Sequence, residues 1–62
     1  MLVEVALPLP MPRTFTYLAE SRVAPGTRVL VPFSGRRMVG WVVGETSDAI
    51  DAARVKPVIR ML

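Results

Sequence analysis

Five short stretches of this chain are strand-like in their pattern of apolar and polar residues, and turn-forming residues fall between them. Val3, Val5 and Leu7 occupy every second position, so residues 2–7 predict a strand with these three side chains on one face. Residues 14–18 are rich in β-branched and aromatic residues and predict a second strand, with Phe15 and Tyr17 on one side and Thr14 and Thr16 on the other. Residues 28–33 predict a third. In residues 37–44 Met38, Val39, Trp41, Val42 and Val43 are apolar on both faces, which suits a central strand or one curled inside a small barrel. Gly40 and Gly44 permit the bend that curling needs. Residues 54–62 predict a fifth strand, with Val55, Pro57, Ile59 and Met61 facing one way and Arg54, Lys56, Val58, Arg60 and Leu62 the other.

The connections carry their own signals. Pro8, Pro10 and Pro12 remove backbone donors and fix φ, so the loop between the first two strands is expected to run extended, close to polyproline II. Pro25-Gly26 predicts a type II turn, Pro32 marks the end or an edge of the third strand, and Ser34-Gly35 predicts a hairpin. Residues 47–53 have the makings of one or two helical turns capped by Ser47 or Asp48. The fold class is therefore mainly β, or α+β if that one short helix forms: a small antiparallel β-barrel or curled sheet of about five strands. Trp41, Tyr17 and Phe33 are expected in its core, and Phe15, placed just after the proline loop, is the ring best placed to meet a ligand.

Length and composition narrow the chemistry. Sixty-two residues make one small domain whose core is marginal. Yet 52% of the residues are hydrophobic, so some apolar surface is expected to pack against something else. With a strand-like run at residues 58–62 and no closing turn, residues 1–62 read as a single domain from a larger protein. There is no cysteine and no histidine, hence no disulfide, no thiolate site and no histidine base. Lys56 is the only lysine and no glycine run precedes it, so a phosphate-cradling loop is absent. The carboxylates Glu45, Asp48 and Asp51 crowd one loop without metal-ligand spacing. No enzyme activity, metal or cofactor is expected. No apolar run approaches the roughly 18 residues of a membrane span, and a cytoplasmic location is the expectation.

The net charge is +3, and the cations are grouped. Arg22, Arg28, Arg36 and Arg37 follow one another with no acid between, and Arg54, Lys56 and Arg60 share one predicted strand face. A phosphate backbone rewards such grouping through counterion release, and arginine also binds phosphate bidentately and stacks on bases. Nucleic acid is the partner this favours. The competing reading is a protein-docking module whose arginines only solubilise it or pair between domains.

Two motif blocks sharpen the choice. Ala6-Leu7-Pro8-Leu9-Pro10-Met11-Pro12-Arg13-Thr14-Phe15-Thr16-Tyr17 is followed, about a dozen residues on, by Pro25-Gly26-Thr27-Arg28-Val29-Leu30-Val31-Pro32-Phe33. In this order and spacing they resemble the N-terminal 3′-DNA-end-binding domain of PriA replication-restart helicases (primosomal protein N-prime), most closely over residues 5–17 and 25–44. The resemblance implies a bacterial, nucleoid-associated module that recognises the 3′ end of the nascent leading strand at stalled or branched forks. The implied partners are branched or single-stranded DNA with a 3′ end and the other domains of the parent helicase. Other primosome and single-strand-binding proteins are further candidates.

The resemblance also implies a shallow pocket for the terminal nucleotide. Its aromatic residue matches Phe15, its small residue matches Ser34 or Gly35, and its basic residue matches Lys56; Arg36 and Arg37 are expected to add phosphate contacts. At Thr16 the relatives usually carry aspartate. Threonine accepts a hydrogen bond without charge assistance and does not repel a phosphate, so weaker discrimination between 3′-hydroxyl and 3′-phosphate ends is the expectation.

Overall fold

The structure, a computed structural model, describes residues 1–47 and 55–62. Five strands follow one another: β1 (Leu2–Ala6), β2 (Thr14–Leu18), β3 (Arg28–Phe33), β4 (Arg36–Thr46) and β5 (Arg60–Met61). They form one antiparallel sheet in the order β2-β1-β4-β3-β5. There is no helix among the described residues. The helical turns expected over residues 47–53 lie outside the described residues, except for Ser47.

The alternation in the sequence is realised on the inner face. Val3, Val5, Val29 and Val31 are fully buried, and Leu7, Tyr17, Ala19, Val23 and Val42 complete the core. β4 is the central strand. Its inner positions, Met38, Gly40 and Val42, face this core, while Val39, Trp41 and Val43 are exposed. Trp41 therefore does not join the core as its size suggests: it is 44% exposed, because the even positions of β4 already cover the inner face. Tyr17 is buried as expected, and Phe33 packs on the core's margin.

Two devices curl the sheet. Between Glu4 and Val5 the pairing with β4 slips from Gly44 to Val42, leaving Val43 as the extra residue of a bulge, and bulges increase local twist. At Gly40 the chain crosses so closely that a Cβ would lie 2.6 Å from the Ala6 carbonyl oxygen and 2.7 Å from side-chain carbons of Val5 and Leu7. Only glycine allows this approach.

The connections differ from expectation in one place. Leu9 N–H donates to the Leu7 carbonyl and Arg13 N–H to the Met11 carbonyl, both at 2.8 Å. These two-residue spacings are γ-turns, so the proline loop is folded at both ends instead of running as polyproline II. Pro25-Gly26 forms the expected turn, with Gly26 at φ 91° and Thr27 N–H donating to the Ala24 carbonyl at 3.2 Å. Ser34 and Gly35 both have positive φ, 50° and 75°, which is the signature of a type I′ hairpin turn.

The C-terminal stretch is the main correction. It is not one alternating strand. Pro57 bridges Leu18 of β2 in parallel, with Leu18 N–H donating to the Lys56 carbonyl and Val58 N–H to the Leu18 carbonyl. The chain then crosses to β3, where Ile59 N–H donates to the Leu30 carbonyl and only Arg60–Met61 forms a strand. Val58 packs on the core while Ile59 and Met61 are exposed, the reverse of the faces expected. Pro57 has no N–H to sustain a ladder, and the switch from one strand edge to the other resets the alternation. The sheet is curled but not closed: β2 and β5 remain its edges, and among the described residues it is residues 56–58 that join the stretch before β5 to β2.

Candidate nucleic-acid interface

The seam between β2 and the C-terminal stretch opens, at its Thr14 end, into a cleft of about 620 Å³. Arg13, Phe15, Thr16, Ser34, Val55 and Lys56 are among its walls, with Tyr17, Pro32 and Phe33 behind them. No acidic residue lines it among the described residues, while Arg13 and Lys56 do, so the cleft is electropositive.

The floor follows from the strand register. Leu18 turns both of its backbone polar groups outward, to Lys56 and Val58. The β1–β2 pairing is unbroken from Leu2 opposite Leu18 to Ala6 opposite Thr14, and in an antiparallel pair alternate residues point their backbone groups the same way. Thr16 and Thr14 therefore present their N–H and C=O groups to the open seam. They have no backbone partner among the described residues, and such an edge is a ready template for hydrogen bonding.

The aromatic wall is preorganised. Phe15 is half-buried and meets Phe33 edge to face, with centroids 5.0 Å apart and planes at 73°. The Arg13 guanidinium carbon lies 4.6 Å from the Phe15 ring centroid, a cation–π contact. Behind them Tyr17 donates its hydroxyl to the Pro32 carbonyl at 2.7 Å, tying β2 to the end of β3. Burial pushes the Tyr17 phenol above its ordinary pKa, because the phenolate would lose its hydration.

Thr16 is arranged differently from what its sequence position suggests. Its hydroxyl sits on the sheet face opposite Phe15 and donates to the Glu4 carboxylate at 2.7 Å, across the directly opposed pair Glu4–Thr16. The side-chain proton is thus committed, and what Thr16 shows the seam is its backbone. Lys56 is held at the cleft by its own carbonyl, which accepts from Leu18 N–H at 3.0 Å.

Of the residues expected at the site, Phe15, Thr16, Ser34 and Lys56 are brought together around this cleft. Ser34 rather than Gly35 lines it; Gly35 is the exposed tip of the turn, and Arg36 and Arg37 lie beyond the lining. Arg13 is missing from the expected set, although the spacing Arg-x-Phe places it on the face of Phe15 in an extended chain. Phe33 and Pro32 come from β3, which has two strands between it and β2 in the sheet order, and the curl of the sheet brings them to the cleft.

Residues 4–62 match the family described as the 3′DNA-binding domain (3′BD) of PriA. That family is a DNA-binding module and not a catalytic one, and 62 residues are too few to hold a helicase. The match takes in both motif blocks and every residue lining the cleft, and the chain belongs to the PriA 3′ DNA-binding domain family.

Proposed function

We propose that this domain recognises the free 3′-hydroxyl end of a DNA strand at branched or stalled forks, as the end-reading module of a PriA-like restart helicase. The observation that carries the reading is the cleft itself: a basic, aromatic-walled opening floored by an unpaired strand edge. The terminal base displaces the Arg13 guanidinium from the Phe15 ring, and the freed guanidinium pairs with a phosphate. Lys56 takes the adjacent phosphate. The Thr16 carbonyl accepts a hydrogen bond from the terminal 3′-hydroxyl, a contact that a 3′-phosphate, an acceptor at neutral pH, does not reproduce. Ring stacking is tolerant of base identity, so binding depends little on sequence.

Fluorescence anisotropy at low salt tests this with partial duplexes that differ only in a recessed 3′-hydroxyl or 3′-phosphate. The hydroxyl end is expected to bind more tightly. Phe15→Ala costs about 1–3 kcal/mol of affinity through lost stacking. Lys56→Ala weakens both ends alike and reduces the salt slope by about 1. Equal binding of the two ends by the unaltered domain would sink the reading. Thr16 gives a finer cut. Thr16→Val retains end preference, because the hydroxyl is turned to Glu4. Thr16→Pro removes only the seam-facing N–H, which none of these contacts uses, keeps the carbonyl and the β1–β2 bonds, and is expected to leave the end preference in place.

A further inference from the structure

The outer face of the sheet carries a second feature that the cleft does not use. By strand alternation Arg28, Leu30 and Pro32 of β3 face outward, as do Arg37, Val39 and Trp41 of β4. Arg28 stands directly opposite Trp41, Leu30 opposite Val39 and Pro32 opposite Arg37, and Arg60 of β5 stands opposite Leu30. Directly opposed residues share a face with their Cβ atoms about 5 Å apart. Arg37 and Trp41, four residues apart, lie about 14 Å apart along β4. The result is a stripe with a half-exposed indole at one end and arginines along both of its margins.

Among the described residues the one ion pair is Arg22 with Glu45, so Arg28, Arg37 and Arg60 have no acidic partner. Glu4 occupies the same face, but its carboxylate is turned toward β2, where it accepts from Thr16. An exposed ring flanked by unpaired guanidinium groups on a strand surface is the combination that binds single strands without regard to sequence: bases stack, and phosphates take the cations.

We infer that the outer face of β3, β4 and β5, which carries Trp41 together with Arg28, Arg37 and Arg60, is a second DNA-binding surface that takes unpaired single strand independently of any 3′ end. Arg37 belongs to this surface and not to the cleft. A strand whose end is seated in the cleft, or the opposite strand of the same fork, has here a place for its unpaired bases.

Trp41 is the chain's single tryptophan, so its emission reports directly on the face in question. The experiment titrates the full chain with circular single-stranded DNA, which has no ends, at 50 and 200 mM salt. Saturable quenching is expected, with affinity falling roughly twentyfold between the two salts if three phosphates are neutralised. In Arg28→Ala/Arg37→Ala, which keeps the core and the tryptophan and whose quenching is read against its own DNA-free emission, the salt slope falls by about 0.7 per arginine and quenching at a fixed DNA concentration drops. Trp41→Ala, followed by anisotropy of a labelled circle, loses roughly tenfold in affinity.

Absence of quenching by the circle at 50 mM salt, or quenching unchanged by the arginine variant, overturns the inference and leaves this apolar and basic face to a protein partner. The cleft is read separately with the recessed 3′ ends. Quenching by the circle with no preference between those ends upholds this surface and sinks the end-reading function; the converse pair of results does the opposite.

Discussion

Two boundaries of this sheet are built to different standards. Where β1 meets β4, five positions pair, a bulge adds twist, and the chain at Gly40 passes within contact of Val5, Ala6 and Leu7. Where β2 meets the C-terminal stretch, one bridge and its flanking hydrogen bonds around Leu18 do the joining among the described residues, which leave the remainder of the β2 edge open. The first boundary pairs along the whole of β1. The second withholds the backbone groups of Thr14 and Thr16, and the cleft forms there. The close packing and the open edge are thereby separated onto opposite margins of β1 and β2, which lets that edge stay unsatisfied without unravelling the core.

The sharpest way to break the comparison is at the tight boundary. In Gly40→Ala the new Cβ meets the Ala6 carbonyl oxygen at 2.6 Å, and backbone cannot swing aside as a side chain can. Overpacking of this kind costs about 1–3 kcal/mol and more when backbone must move. For a domain of this size that is a large share of the total stability. Urea denaturation is expected to show a lower midpoint or an unfolded chain at 25 °C. Native stability in this variant would mean that β1 and β4 are not as closely apposed as described.

Tyr17 ties the open-edged strand to the core, since it is buried from the β2 side and donates to the Pro32 carbonyl of β3. Tyr17→Phe leaves that acceptor without its partner at a cost of about 1 kcal/mol, smaller than the glycine clash. The pH dependence adds a signature. The folded pKa is raised above the unfolded value, near 10, by desolvation. The native state therefore holds the phenol proton more tightly, and its contribution is complete below pH 10 and lost as pH rises through the folded pKa. Denaturation midpoints are expected to fall above pH 10 in the unaltered domain and to fall less in Tyr17→Phe. Parallel alkaline profiles would remove Tyr17 from this role.

The same comparison explains what the sequence could disclose. Val3, Val5 and Leu7, or Phe15 and Tyr17, declare their faces by local alternation, and Pro25-Gly26 and Ser34-Gly35 declare their turns by backbone chemistry that few residues can supply. These features need no knowledge of neighbours. Residues 55–62 do: their alternation is interrupted where the chain leaves β2 for β3 at Pro57, and nothing local marks which edge each half adopts. Trp41 misleads for a related reason. Its size argues for burial, but β4 is central and its inner positions were already filled by Met38, Gly40 and Val42. At the site, Phe15, Ser34 and Lys56 were legible through a family resemblance, whereas the engagement of the Thr16 hydroxyl by Glu4 depends on cross-strand register.

The smallest expected effect concerns the hairpin that carries Ser34 to the cleft. Both central residues of this turn have positive φ, and serine at 50° lacks the ease of asparagine or glycine there. Ser34→Asn fits the turn better and is expected to raise stability by a few tenths of a kcal/mol, within the scale of turn and cap improvements. Ser34 also lines the cleft, and the longer amide reaches further into it. Its effect on DNA is expected to be loss, with tighter folding and weaker 3′-end binding in the same molecule. Thermal melts and anisotropy on one preparation read both quantities. A gain in both would mean that Ser34 is held at the rim by the turn alone and contributes nothing to the cleft's shape; opposed signs would show that the hairpin gives up local stability to keep the opening free.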